Sequence, residues 1–171
     1  TLHRRIRDLL EARAEAGGVV SVVLAGRLSG TYQSGVTAAR VAGIEQVHMV
    51  DSASASLGLG MQALRAAELA ESGWRAPAIV EELRRIRGQS GCFITVDRFD
   101  NLLRSGRVTR GRAWLAGMLD VKPILSLDSQ GGVIPVDRVR GRNNVVPRVL
   151  SLLEKRLTPR PTMTLLGTAS T

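Results

Sequence analysis

The sequence has 171 residues, 44% of them apolar, which suffices for a buried core and excludes a disordered chain. No apolar run approaches the roughly 18 residues that span a bilayer, the opening residues lack a signal-peptide pattern, and the single Cys92 excludes a disulfide framework. The cytoplasm is the expected compartment, with no stable membrane insertion. The net charge of +9 comes almost wholly from arginine, and an aromatic content of 3% argues against a stacking platform for single-stranded nucleic acid.

Leu2 to Ala16 carries apolar residues on one helical stripe, and Gly17-Gly18 ends it. Val19 to Leu24 is a β-branched run bounded by glycines, the pattern of a buried strand. The turn after it is rich in glycine and hydroxyls. A helix from Tyr32 to Val41 follows, with Ser29 or Thr31 as its expected N-cap and Val36, Ala39 and Val41 as its inward positions. Val47 to Asp51 is a second strand, closed by a second polar turn through Ser52, Ser54 and Ser56. Helical spacing resumes from Leu57 to Glu71 and again from Ala76 to Arg87, where Gly88 ends it.

Strand, polar turn and helix thus occur twice in succession, which predicts a parallel sheet with helices on its faces. Ligands of such sheets sit beyond the carboxyl ends of the strands. Both polar turns lie at that edge, and Gly58 and Gly60 leave room for close approach. Backbone N–H groups at a strand-to-helix turn, reinforced by the helix dipole, suit a carboxylate or phosphate.

The pattern changes after residue 90. Cys92 to Val96 reads as a strand and Asp97 to Leu103 as a short helix, while Ala113 to Leu119 reads as a buried helix. Ile124 to Leu127 and Val133 to Val136 are strands of a hairpin, joined by a glycine-containing loop. Val145 to Leu157 is the last helix, and Met163 to Leu166 a strand with nothing after it to cover it. The fold class is therefore α/β: a parallel sheet flanked by helices over 1–89, then a smaller α+β subdomain with a hairpin over 90–171. The terminal patterns lead us to expect a chain truncated at both ends.

Catalytic constellations are missing. Gly26-x-x-Ser29-Gly30 places its serine one position late for a nucleophile elbow. His3 and His48 are poor partners for it, and neither a phosphate-binding loop nor a metal-ligand spacing occurs. What remains is an anion-cradling edge joined to Ala25, Leu28, Leu57, Leu59 and Met61, matching a ligand with an acidic head and an apolar body. The alternative reading, a basic nucleic-acid- or phosphate-binding protein, rests on the net charge of +9. Its arginines are scattered along helices, as solvated faces would be.

Leu28-Ser29-Gly30-Thr31-Tyr32-Gln33-Ser34, Asp51-Ser52 with Ser56, Gly58 and Gly60, Asn101 to Val108, and Leu119-x-x-Lys122-Pro123-Ile124-Leu125 occur in one order with fitting gaps. Together they resemble the DegV family of bacterial fatty-acid-binding proteins. The resemblance implies a two-domain protein that holds a long-chain fatty acid as ligand, needs no cofactor and is not an enzyme. It presents the carboxylate to the catalytic subunit of fatty-acid kinase, whose acyl phosphate feeds phospholipid synthesis.

On that resemblance, Gly26, Arg27, Leu28, Ser29, Gly30 and Thr31 match the segment lining the carboxylate end, and Asp51 and Ser52 match the second turn behind it. Arg107 and Arg140 match basic positions facing the kinase, where a planar guanidinium grips carboxylate or phosphate. Family members commonly carry two serines where this chain has Ala25-Gly26, one of them touching the carboxylate. A threonine-rich segment upstream and a histidine near the family's carboxyl terminus complete the head contacts, and both lie outside these residues.

Overall fold

The computed structural model describes residues 18–96, 100–108 and 121–157, with Arg4 and Asp8 before them. The helix expected over 113–119 and the strand expected over 163–166 lie outside the described residues, as does most of 2–16. The chain divides into two compact units, Thr1–Ser90 with Ser129–Gly131, and Gly91–Asp128 with Gly132–Thr171.

In the first unit, β1 (Val19–Val23) and β2 (Val47–Asp51) pair in parallel, from Val19 opposite Val47 to Val23 opposite Asp51. The β-branched side chains of both runs suit a pleated, half-buried surface. α1 (Thr31–Val41) connects the strands, and α2 (Ser56–Glu71) and α3 (Ala76–Gln89) follow. Val20 and Val22 pack on a core of Val50, Ala66, Leu69, Ile79, Val80 and Leu83, so α2 and α3 cover one face of the pair.

α1 corrects two expectations. Its N-cap is Gly30, not Ser29 or Thr31, and a glycine has no side chain to cap with. Its buried residues are Gly35, Ala38 and Ala39, whereas Val41 is 68% exposed. Residues 35, 38 and 39 share one helical stripe, and Val41, the last residue of α1, lies off its edge, about 110° from its centre. The face is small because Met49 of β2 fills the space: a Cβ on Gly35 would stand 2.3 Å from Met49 Cε. α3 runs past Gly88 to Gln89, since one glycine weakens a helix by only about 1 kcal/mol. Glutamates three positions away hold Arg65, Arg84 and Arg85, so part of the basic charge belongs to solvated helix faces.

The second unit holds an antiparallel sheet in the order β3 (Phe93–Thr95), β4 (Val121–Leu127), β5 (Val133–Arg140). β4 begins three residues before the expected Ile124, and Pro123 sits inside it. Proline is tolerated there because β3 pairs only with Ile124, Leu125 and Ser126. The expected hairpin joins β4 and β5, with a register shift between Ile124 and Leu125. Its loop is closed by Asp128, whose carboxylate and N–H both engage Gly132, at 2.9 Å each. The short helix expected over Asp97 to Leu103 is described as α4 (Asp100–Arg104), and 97–99 lie outside the described residues. After β5, a 3-10 turn over Arg142–Asn144 leads into α5 (Val145–Glu154), and Arg148 of α5 pairs with Asp137 of β5. Among the described residues no helix is long and apolar enough to cross a membrane.

Candidate functional site

The site is a junction of two loops at the carboxyl ends of β1 and β2. Parallel pairing sets these ends side by side, and backbone bonds extend the pairing into the loops. Ser52 N–H donates to the Val23 carbonyl at 3.1 Å, and Ala25 N–H donates to the Ser54 carbonyl at 2.9 Å. From Ala25 the first loop doubles back, its carbonyl accepting the N–H groups of Leu28 and Ser29 at 2.9 and 3.1 Å. The chain then enters α1.

Ser29 shapes that entry. Its Oγ accepts the Thr31 N–H at 3.3 Å and lies 2.8 Å from Thr31 Oγ1, so the two hydroxyls are paired. The Ser34 N–H goes to the Gly30 carbonyl, leaving Tyr32 and Gln33 with the N–H groups that a helix start does not satisfy internally. Gly26, Arg27 and Gly30 are exposed, and Leu28, Ser29 and Thr31 are half-buried. A Cβ on Gly30 would meet nothing within 4 Å, so open space faces the start of α1. An accessible surface of small residues, hydroxyls and helix-start N–H groups can receive an anion.

The second loop holds the first in place. Asp51 Oδ2 accepts the Gly26 N–H at 3.2 Å, and Oδ1 accepts the Ala53 N–H at 2.8 Å. One carboxylate thus ties both loops together. Ser52 is 1% exposed and all its polar atoms are engaged within the fold: its Oγ donates to the Ser54 carbonyl and accepts the Ser54 N–H. Ala53 and Ser56 stand at φ +46° and +50°, a left-handed conformation that non-glycine residues adopt at a cost. The two expected glycines differ: a Cβ on Gly58 would collide with Ser54 Oγ at 2.2 Å, while Gly60 faces open space.

Ala25 and Gly26, which on the resemblance stand in place of two serines, differ in exposure. Ala25 is 0% exposed, so its side chain meets the interior of the fold. Gly26 is exposed, and a Cβ there would stand 2.9 Å from Asp51 Oδ2.

Three residues of the junction are not apparent from the sequence. Gly131, at φ +78°, sits so close that a Cβ on it would lie 2.6 Å from Ala25 Cβ. Arg87 donates to the carbonyls of Asp51 and Ser129, at 3.1 and 3.3 Å. Gln62, on the buried stripe of α2 with Ala66 and Leu69, donates to the Ser52 carbonyl at 3.0 Å. A polar residue on an otherwise apolar helix stripe was the available signal for Gln62. Arg107 and Arg140 belong to the second unit and are exposed. The Arg107 guanidinium reaches back to the Ser105 carbonyl at 2.6 Å, and the Arg140 carbonyl accepts from Asn144.

A groove of about 270 Å³ runs between α1, β2 and α3, lined by Tyr32, Val36, His48, Met49 and Arg84 among others, and none of residues 26–31 lines it. Among the described residues no group of three His, Cys, Asp or Glu is placed to hold a metal ion. Cys92 is half-buried; burial raises its thiol above the ordinary value, against a smaller opposing effect of a backbone bond at Leu127, so it stays protonated at neutral pH.

Comparison with known proteins assigns a lineage. Residues 3–169 match the family described as "Uncharacterised protein, DegV family". A DegV domain-containing protein of Deinococcus radiodurans is 39% identical over 137 residues, which is 80% of this chain and 48% of that protein. A solved structure from Thermus thermophilus, described as "Fatty Acid Binding of a DegV family Protein", superposes with a TM-score of 0.78 at 36% identity. It covers 91% of this chain and 54% of its own. The crystal structure of "DegV, a fatty acid binding protein from Bacillus subtilis" gives a TM-score of 0.76 at 28% identity, covering 90% of this chain and 55% of that one. The chain thus spans about half the length of the relatives it matches.

Proposed function

The chain belongs to the DegV family, and on that premise we propose that it binds a long-chain fatty acid and presents it to a separate kinase subunit. The carboxylate lies at the turn of Gly26, Arg27, Leu28, Ser29, Gly30 and Thr31, and the acyl chain runs into an interior tunnel. Asp51 and Ser52 act behind the turn by fixing its shape. The observation that carries this reading is the exposed strand-to-helix turn, in which Ser29 and Thr31 stand at the start of α1 with open space in front of Gly30. The Thermus thermophilus relative described for fatty acid binding supports it.

Energetically the two ends of the ligand do different work. Burying the tail supplies affinity at about 0.8 kcal/mol per methylene before entropic losses. Head contacts set orientation and leave the carboxylate where a second protein reaches it. No cofactor enters, and acyl-phosphate formation belongs to the kinase partner in the cytoplasm. Arg107 and Arg140 dock that partner.

The test belongs on the full-length protein. Mass spectrometry after denaturing extraction is expected to find co-purified fatty acid, and protein stripped of lipid to take up labelled oleate or palmitate. Protein that is clean on isolation and takes up neither label overturns the reading.

A further inference from the structure

Gln62 is 1% exposed, one of the most deeply buried polar side chains described. Its Nε2 donates to two carbonyls, Ser52 at 3.0 Å and Gly58 at 3.4 Å. Those two acceptors fix the amide's orientation, because a flipped amide would set its oxygen against both. Oε1 is buried without a hydrogen-bond partner. An orphaned acceptor is unfavourable, so packing alone is better served by an apolar side chain of similar volume. What glutamine supplies and methionine does not is the grip of Nε2 on the second loop.

That grip opens a continuous run of hydrogen bonds. Gln62 holds the Ser52 carbonyl; Ser52 Oγ donates to the Ser54 carbonyl at 3.2 Å; the same carbonyl receives the Ala25 N–H at 2.9 Å. The Ala25 carbonyl in turn takes the N–H groups of Leu28 and Ser29, and Ser29 Oγ holds Thr31. Five hydrogen bonds thus link the middle of α2 to the first residue of α1. The loop between them is held at φ +46° in Ala53, a conformation that needs support from outside the loop.

We infer that Gln62 is a positioning residue for the head site: it holds the second loop in the shape that sets the Ala25–Thr31 turn for a carboxylate. The inference rests on the fatty-acid reading and adds to it a residue that touches no ligand. Its effect is therefore specific to the acidic head. Removing Nε2 weakens binding of the acid and leaves the binding of a ligand without a carboxylate nearly unchanged.

The experiment compares oleate with oleyl alcohol on lipid-free full-length protein, wild type against Gln62→Met, with the thermal midpoint measured for each. Wild type is expected to prefer the acid. In Gln62→Met the affinity for oleate is expected to fall about tenfold, the size of one charge-assisted hydrogen bond, while that for the alcohol changes less than about twofold. Equal loss for both ligands, or no loss, overturns the positioning role. Wild type that binds neither ligand, or both alike, instead overturns the function proposed above. Should Gln62→Met not fold, Ser52→Ala cuts the next bond of the run and is expected to narrow the acid-to-alcohol ratio in the same way; an unchanged ratio is equally decisive against the inference.

Discussion

Asp51 shows how little of a residue's role its type reveals. A carboxylate beside the turn proposed to hold an anion invites a reading as a ligand contact, yet both oxygens face backbone N–H groups, of Gly26 and Ala53. Its charge is spent on holding two loops together, which keeps it from repelling an incoming carboxylate at full strength. Replacing Asp51 by alanine frees both N–H groups and is expected to destabilise the protein by about 2 kcal/mol. Thermal denaturation checks this, with the midpoint falling by several degrees. Oleate affinity is expected to fall at the same time, because Gly26 loses its bond to the second loop and only the neighbouring Ala25 N–H still ties that end of the turn to it. Unchanged uptake in a destabilised Asp51→Ala protein places the head elsewhere. Gly131 poses the opposite case, a residue whose missing side chain matters. Gly131→Ala combines a left-handed backbone with a Cβ 2.6 Å from Ala25 Cβ and 3.0 Å from Ala53 Cα. A loss of about 2 kcal/mol is expected, read from the shift of the urea midpoint.

At the scale of elements, legibility followed the strength of the periodic signal. Val47 to Asp51 was readable to the residue because a short apolar run meets an Asp-Ser-Ala-Ser turn. The two loops at one edge followed from the parallel alternation, and the register of β1 on β2 places them there. The face of α1 is legible at Ala39 and not at Val41, because the other buried residues, Gly35 and Ala38, carry less hydrophobicity than the exposed Val41. Only the partner explains that choice: Met49 occupies the volume. The start of β4 was hidden by Pro123, acceptable solely because β3 has ended. Gly131 and Arg87 act on residues far away in sequence, so no local pattern announces them.

The join between β5 and α5 carries a testable pH dependence. Partial burial works to raise the Asp137 carboxyl, and the Arg138 N–H and the Arg148 guanidinium outweigh it, holding the group below its ordinary value of 3.8. A carboxylate depressed in the folded state contributes stability above its unfolded value and loses it as the pH falls through the folded one. The contribution is therefore intact at neutral pH and disappears below about pH 4. Asp137→Asn is expected to lower the thermal midpoint at neutral pH and to flatten its decline between about pH 5 and pH 3. Parallel curves for the two proteins would assign that decline to other groups.

For the whole molecule the question is how a net charge of +9 is used. Scattered arginines paired with glutamates along α2 and α3 account for part of it as solvated helix surface. Arg107 and Arg140 differ in lying beside turns of the second unit, and their exposure leaves them accessible to a protein with acidic or phosphate-bearing groups. If they dock the kinase, removing one separates two properties that a structural arginine would not. Arg107→Ala in the full-length protein is expected to bind oleate within about twofold of wild type, since the exposed Arg107 side chain is no part of the turn proposed to hold the carboxylate. Acyl-phosphate formation by the kinase subunit is expected to fall about tenfold in kcat/KM, the effect of one lost charge pair at an interface. The loss should shrink as salt rises, because screening weakens the wild-type contact and has nothing left to weaken in the variant. Equal losses in lipid binding and in phosphorylation would instead mean that the bond from Arg107 to the Ser105 carbonyl holds the loop itself, and that the guanidinium serves the fold and not the partner.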